Sequence, residues 1–298
     1  TSTAIANEAL KLIAVDYEVL PHATDVADAL KPGAPLLHED QITMGMDPAS
    51  TEPSNIAKYA EFNVGDLAVG FAEADEVVEL EFTTAAVHQG YIEPHACVAH
   101  YKQDGQAELW TCTQGHFVAR NVTAKLLGMN QADLTVTPSE LGGAFGGKTV
   151  IYLEPLAVAL SRKCGLPVKI VMSRAEVFTA SGPTSDSIMK VKLGAKKDGT
   201  ISGAEATLFF GGGAFPGAPV IGAAMCAFSR YDLANARAVA NDVTVNRPKA
   251  AAYRAPGSPI AAFAVESALD VLARKIGMDP LEIRLKNAAR NGSTTIFG

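Results

Sequence analysis

Gly142-Gly143-Ala144-Phe145-Gly146-Gly147-Lys148-Thr149 is the most informative stretch of this sequence. It lies between a short apolar run, Leu134 to Thr137, and a long apolar segment, Thr149 to Cys164, closed by Gly165 with Pro167 beyond it. The first run reads as a strand and the second as a helix. Consecutive glycines at a strand-to-helix junction let backbone N–H groups approach an anionic ligand, with the positive helix end behind them. A tight turn with left-handed glycines and no ligand has the same signature, so the cluster alone leaves both readings open.

The eight residues also satisfy G-x-x-x-x-G-K-[ST], a phosphate-cradling loop using Lys148 and Thr149. Such an enzyme needs an apolar strand ending in an acid to hold magnesium, normally later in the chain. The buried run Val168 to Met172 ends at Ser173, and the one good candidate, Leu12 to Asp16, lies far upstream. Phe145 inside the turn is a further misfit.

Working outward, a helix is expected over Ala4 to Ile13 and a strand over Val15 to Leu20, followed by the exit Lys31-Pro32-Gly33-Ala34-Pro35. Residues 41–64 are polar, with Asp47-Pro48 and Glu52-Pro53, and read as a linker. Beyond it, strands are expected at Ala74 to Thr83, Ala107 to Thr113 and Val168 to Met172, and a helix at Phe117 to Leu127 before Gly128. Ile188 to Ala195 and Ile201 to Phe209 flank Asp198-Gly199, a hairpin turn. Gly211 to Gly217 reads as an apolar loop, Ser258 to Gly277 as a long helix, and Asp279-Pro280 as the opening of a last one. Helices interleaved with strands and hairpins predict an α+β fold with mixed sheets.

The 298 residues allow two domains or one large one at roughly 150 residues each. With 48% apolar and 19% charged residues, disorder is excluded as the main state. The net charge of −7 gives no reason to expect nucleic acid. No apolar window reaches the roughly 20 residues of a membrane span. Cys97, Cys112, Cys164 and Cys226 lack C-x-x-C spacing, so no iron–sulfur or zinc site is expected, and they read as buried reduced thiols. His88, His100 and His116 have no ligand spacing, and no protein metal ligand is expected.

Five segments, in order, carry a resemblance. Gly142 to Lys148 resembles the glycine–phenylalanine segment of the xanthine dehydrogenase/aldehyde oxidase family of molybdenum hydroxylases. Thr113-Gln114 is similar to that family's Thr-Gln pair, and His88 to His95 (HQGYIEPH) to the segment before it. Ala252 to Gly257 (AYRAPG) resembles its Tyr/Phe-Arg-x-x-Gly turn, and Leu269 to Asn287 the helix pair that follows. The matches cover nearly the whole chain.

This resemblance implies a fragment of the molybdopterin-binding large subunit. Residues 1–40 would be the tail of a hammerhead-like domain, 41–64 a linker, and 65–298 the first of two cofactor-binding lobes. The implied cofactor is the molybdenum cofactor, as molybdopterin or its dinucleotide form. Gln114, Gly143, Ala144, Phe145, Gly146, Gly147 and Arg254 would bind it, the glycine segment through backbone donors and Gln114 beside the metal's oxo group. Lys148 would cap the turn, meet phosphate or stay solvated, while Glu93 and His95 would shape a turn. The base glutamate would sit on the second lobe, leaving no catalytic residue here and this chain inactive alone. The resemblance further implies 2Fe-2S and FAD on partner subunits or domains, a small-molecule substrate and a cytoplasmic location. In the substrate pocket, Thr149, Gly222 and Pro256 stand where purine-oxidising members have an acid, an arginine and a phenylalanine. Ala255 replaces the cysteine of carbon monoxide-oxidising members. An aldehyde or an aromatic N-heterocycle remains as substrate. A nucleotide-binding protein using Gly142–Thr149, or a non-catalytic interaction module of the same fold, are the alternatives.

Overall fold

The computed structural model describes residues 2–297. Its helices are α1 (Thr3–Leu10), α2 (Val26–Ala29), α3 (Leu67–Ala72), α4 (His116–Leu126), α5 (Glu154–Cys164), α6 (Arg174–Ala180), α7 (Val220–Phe228), α8 (Ser258–Lys275) and α9 (Pro280–Asn287). Its strands are β1 (Ile56–Val64), β2 (Glu76–Thr84), β3 (Ala96–Tyr101), β4 (Ala107–Thr111), β5 (Leu134–Pro138), β6 (Val168–Val171), β7 (Ser187–Ala195), β8 (Ile201–Gly213) and β9 (Ala236–Thr244).

They form two mixed sheets, as the α+β reading expects. The larger has the order β1-β9-β8-β7-β2 and the smaller β5-β4-β3-β6. In each sheet one pair is parallel, β8 with β9 and β4 with β5, and the other pairs are antiparallel. A parallel pair needs a crossover, and helices supply it: α7 between β8 and β9, α4 between β4 and β5.

The larger sheet owes its core to small residues. Ala223, Ala224 and Ala227 on α7 and Ala261, Ala264 and Ala268 on α8 are buried, so both helices lie close against β7, β9 and each other. Met189, Val191, Leu208 and Phe210 fill the remaining space. The smaller sheet is closed by α5, with Leu109, Leu134, Ala157 and Val158 at its centre. Local signals set the ends of these elements. Ser173 and Glu176 make a reciprocal capping box at the start of α6, Asp279 accepts from Leu281 and Glu282 N–H at α9, and Gly165 ends α5 at φ +68°.

Several expectations fail, most of them because a strand needs a partner that local sequence does not reveal. Val15 to Leu20 is no strand; its residues are exposed and join no sheet among the described residues, Leu20 O meeting only the neighbouring His22 Nδ1 at 2.8 Å. Within the expected linker 41–64, Ile56–Val64 is a nine-residue edge strand registered against β9. Ala60, Phe62 and Val64 of that strand pack on the main core. Ala23, Val26 and Ala29, placed in the 1–40 tail, pack on Val243 and Val245. The Gly211–Gly217 loop begins late, because β8 runs on to Gly213. The helix expected from Thr149 starts only at Glu154, where Pro155 fits the first turn. Cys164 is exposed, against the expectation of four buried thiols, while Cys97 and Cys112 are buried. Burial pushes the Cys97 thiol up to about 12, so it stays an inert thiol.

Candidate functional site

The glycine segment folds as a loop between β5 and α5 whose hydrogen bonds divide its donors into two sets. Gly142 N–H donates to Glu93 Oε2 at 2.9 Å. Gly146 N–H and Lys148 N–H both donate to Gln114 Oε1, at 3.0 and 3.3 Å. Gly147 N–H donates to Ala144 O at 2.8 Å and Thr149 N–H to Gly146 O at 3.3 Å. Gly143, Ala144 and Phe145 are left with N–H groups that make no hydrogen bond among the described residues. The backbone donors expected of Gly146 and Gly147 are therefore spent within the chain. Their glycines serve close approach instead. A Cβ on Gly146 would lie 2.5 Å from Ala252 O, and one on Gly147 would lie 2.7 Å from the Tyr91 ring.

Gln114 is placed between β4 and α4. Its own N–H donates to Lys148 O at 2.9 Å, and Thr113 Oγ1 donates to the same oxygen at 3.1 Å. With Oε1 occupied by two loop N–H groups, the exposed Nε2 keeps both protons for an outside acceptor. On the other side, Arg254 N–H donates to Phe145 O at 3.0 Å. The Arg254 guanidinium is exposed and has no ion pair among the described residues. Phe145 and Ala255 hold the two positive φ values found outside glycine among the described residues, +52° and +56°. Such strain, about 1–3 kcal/mol each, persists only where surrounding contacts enforce it, and here it marks the two facing turns.

Lys148 departs from the sequence reading. Its side chain has 0% exposure, and Nζ donates to Glu93 Oε2 at 2.7 Å. Its ammonium also lies 5.1 Å from the Tyr91 ring centroid. A phosphate-binding lysine must reach out of the loop mouth; this one points inward, which overturns the nucleotide-binding reading. Thr149 Oγ1, the other residue of that reading, donates to Gly146 O at 2.8 Å.

The sequence-derived pocket residues divide. Pro256 and Arg254 line a cavity of 410 Å³ together with Ser185, Tyr253, Ile260 and Phe263. Gly222 on α7 lies against Pro256, where a Cβ would be 3.2 Å from its carbonyl oxygen. Thr149 does not line this cavity.

Beneath the loop, the Tyr91 hydroxyl and His95 Nε2 are 2.7 Å apart. Burial raises the Tyr91 phenol, so it stays protonated and donates. Burial first, and the Lys148 charge second, bring His95 down to about 4. The unfolded chain takes up this proton near pH 6.5, the folded one near 4. Stability from this group is constant above pH 6.5 and falls between 6.5 and 4, by about 3 kcal/mol at most. Urea unfolding at about pH 7.5 and about pH 4.5 checks it, the drop being smaller in His95→Asn than in the wild type.

Glu93, expected only to shape a turn, and Tyr91 and Gln89 of the same segment all support the loop. Gln89 Nε2 donates to Ala252 O at 3.0 Å, tying the Arg254 turn to the segment under the glycines. No local signal distinguishes these residues, because their partners lie far away along the chain.

A loop with three unspent N–H groups, a side-chain amide and a free guanidinium suits an acceptor-rich, anionic cofactor. The chain belongs to the molybdopterin cofactor-binding domain family, whose model matches residues 49–288. It is similar to the nicotinate dehydrogenase large molybdopterin subunit of Eubacterium barkeri, 29% identical over 297 residues, covering 99% of this chain and 67% of that one. The xanthine dehydrogenase molybdenum-binding subunit of Escherichia coli O157:H7 is 29% identical over 292 residues, covering 96% of this chain and 37% of that one. Among solved structures, the aldehyde oxidoreductase of Desulfovibrio gigas superposes with a TM-score of 0.87 at 28% identity, covering 99% of this chain and 32% of that one. This chain thus spans about a third of the length of two of these three relatives.

Proposed function

We propose that this chain is the cofactor-cradling part of the molybdopterin-binding subunit of a molybdenum hydroxylase. The enzyme would oxidise an aldehyde or an aromatic N-heterocycle with oxygen derived from water. The single observation that carries the reading is the donor set: Gly143, Ala144 and Phe145 N–H, Gln114 Nε2 and the Arg254 guanidinium flank one loop without internal acceptors. Preorganised donors of this kind stabilise negative charge at low reorganisation cost. They also argue against a module that kept the fold and lost its ligand.

When bound, the molybdenum cofactor supplies the two-electron oxidation that protein side chains cannot perform. The chain's own residues bind and orient. Gln114 would aim its amide protons at an oxygen of the cofactor, its orientation set by the two loop N–H groups on Oε1. The three free N–H groups would meet the cofactor's acceptor edge, and Arg254 would meet an anionic or carbonyl oxygen. Phe145, 52% exposed at the turn, would cover the site and exclude water.

The mainly apolar cavity beside Arg254 would hold the hydrocarbon body of the substrate. Thr149, turned to Gly146 O, and Gly222, pressed against Pro256, give a purine no charged contact, which supports the aldehyde or N-heterocycle reading. The catalytic base would come from a second lobe outside this chain, and iron–sulfur and flavin centres from partner subunits or domains. Free cysteines, one of them exposed, suit the reducing cytoplasm. Among the described residues no helix is long and apolar enough to cross a membrane.

Metal and phosphorus analysis of the full-length enzyme tests the reading. Molybdenum and pterin phosphate in stoichiometric amount are expected; active protein without molybdenum would overturn it.

A further inference from the structure

One oxygen atom holds both ends of the cofactor loop. Glu93 Oε2 accepts from Gly142 N–H at 2.9 Å and from Lys148 Nζ at 2.7 Å. The bond from Glu93 N–H to Gly142 O, at 3.1 Å, completes a two-way pairing at the loop's start. At its end, the Lys148 carbonyl accepts from Gln114 N–H and Thr113 Oγ1, and its N–H donates to Gln114 Oε1. Lys148 is thus fixed through backbone and side chain at once. Its ammonium is fully buried, Glu93 is 34% exposed, and a buried ammonium costs several kcal/mol unless paired. An apolar residue at position 148 would fill the same interior more cheaply, so stability alone does not account for the charge.

We propose that the Lys148–Glu93 pair positions the cofactor loop, holding residues 142–148 in the conformation that leaves the Gly143, Ala144 and Phe145 N–H groups free. Both are positioning residues; neither needs to touch the cofactor. The inference rests on the cofactor reading for what those N–H groups meet, not for the latch itself. With the latch open, Gly142 N–H loses its acceptor and the span between Gly142 and Lys148 loses its fixed length. The free donors then shift relative to Gln114, and displacements near 1 Å in such a site cost about 10²-fold in rate.

The test uses the full-length, cofactor-loaded enzyme and the double variant Glu93→Leu/Lys148→Met. Removing both charges leaves no unpaired ion, so most of the thermal stability is expected to remain. The expected signature is faster exchange of the hydrogen-bonded amides of Gly142, Gly146, Gly147 and Lys148, an altered Mo(V) electron paramagnetic resonance signal, and kcat lowered about 10²-fold with KM little changed. Glu93→Asp keeps the charge and shortens the arm, and is expected to show the same exchange and spectroscopic change should the double variant fold poorly. Wild-type exchange and a wild-type signal in the variants would overturn the inference, leaving the pair purely structural. If the wild-type enzyme itself carries no molybdenum, the proposed function fails. Amide exchange needs no cofactor, and it still decides the latch.

Discussion

Gly146→Ala is expected to destabilise the protein by about 3 kcal/mol or more and to yield enzyme with little bound cofactor. Gly146 sits at φ +104°, a backbone conformation that L side chains rarely adopt. An added Cβ would lie 2.5 Å from Ala252 O and 2.7 Å from Ala252 C. Both are backbone atoms, so no rotamer change relieves the clash, and one of the two turns must move. Movement breaks the 3.0 Å bond from Arg254 N–H to Phe145 O and the bonds of Gly146 and Lys148 to Gln114. A single methyl group therefore reaches every donor proposed for the cofactor. The urea midpoint and the molybdenum and phosphorus content of the purified variant measure both halves of the prediction. Wild-type values for both would show that the turns can separate without consequence for the site.

Gln114 offers a second large effect, and two substitutions divide it. In Gln114→Leu, Gly146 N–H and Lys148 N–H lose their acceptor, at about 0.5–1.5 kcal/mol for each bond. The donors of Nε2 vanish as well. Gln114→Glu keeps an acceptor for the two loop N–H groups and replaces the outward donors with negative charge. We expect Gln114→Glu to retain near-normal stability and bound cofactor with kcat lowered by about 10²–10³-fold, the usual range for a lost oxyanion-type donor. Gln114→Leu should lose that activity and stability together. Steady-state kinetics beside urea unfolding separates the outcomes. Equal stability loss in both would mean that the acceptor at position 114 does not govern the loop.

Much of the architecture was legible in the order of residues. Gly165 after an apolar helix, Asp279-Pro280 before another and Asp198-Gly199 between two strands mark boundaries by short-range chemistry, and the chain obeys them. The glycine segment was legible too, as a place where backbone is laid bare between a strand and a helix. What was hidden has a common character. β1 looked like a linker because Lys58, Glu61 and Asn63 mask an apolar face that matters only once β9 lies beside it. Val15 to Leu20 alternates like a strand, yet among the described residues no other strand lies beside it.

The candidate site divides along the same line. Residue types by themselves marked residues 142–149 as laid-bare backbone at a strand-to-helix junction and showed no dense cysteine framework, while Gln114 and Arg254 stood out only through the resemblance. Which N–H groups remain free was decided only by tertiary structure, since Gln114 Oε1, Ala144 O and Glu93 Oε2 select them. The direction of Lys148 was decided there as well. In sequence it reads equally as a phosphate ligand or a solvated charge, because its side chain can turn either way. It points inward because Glu93, far earlier in the chain, presents a carboxylate 2.7 Å from the buried ammonium. Local chemistry specifies what a residue can bond; only the folded chain specifies which partner is within reach.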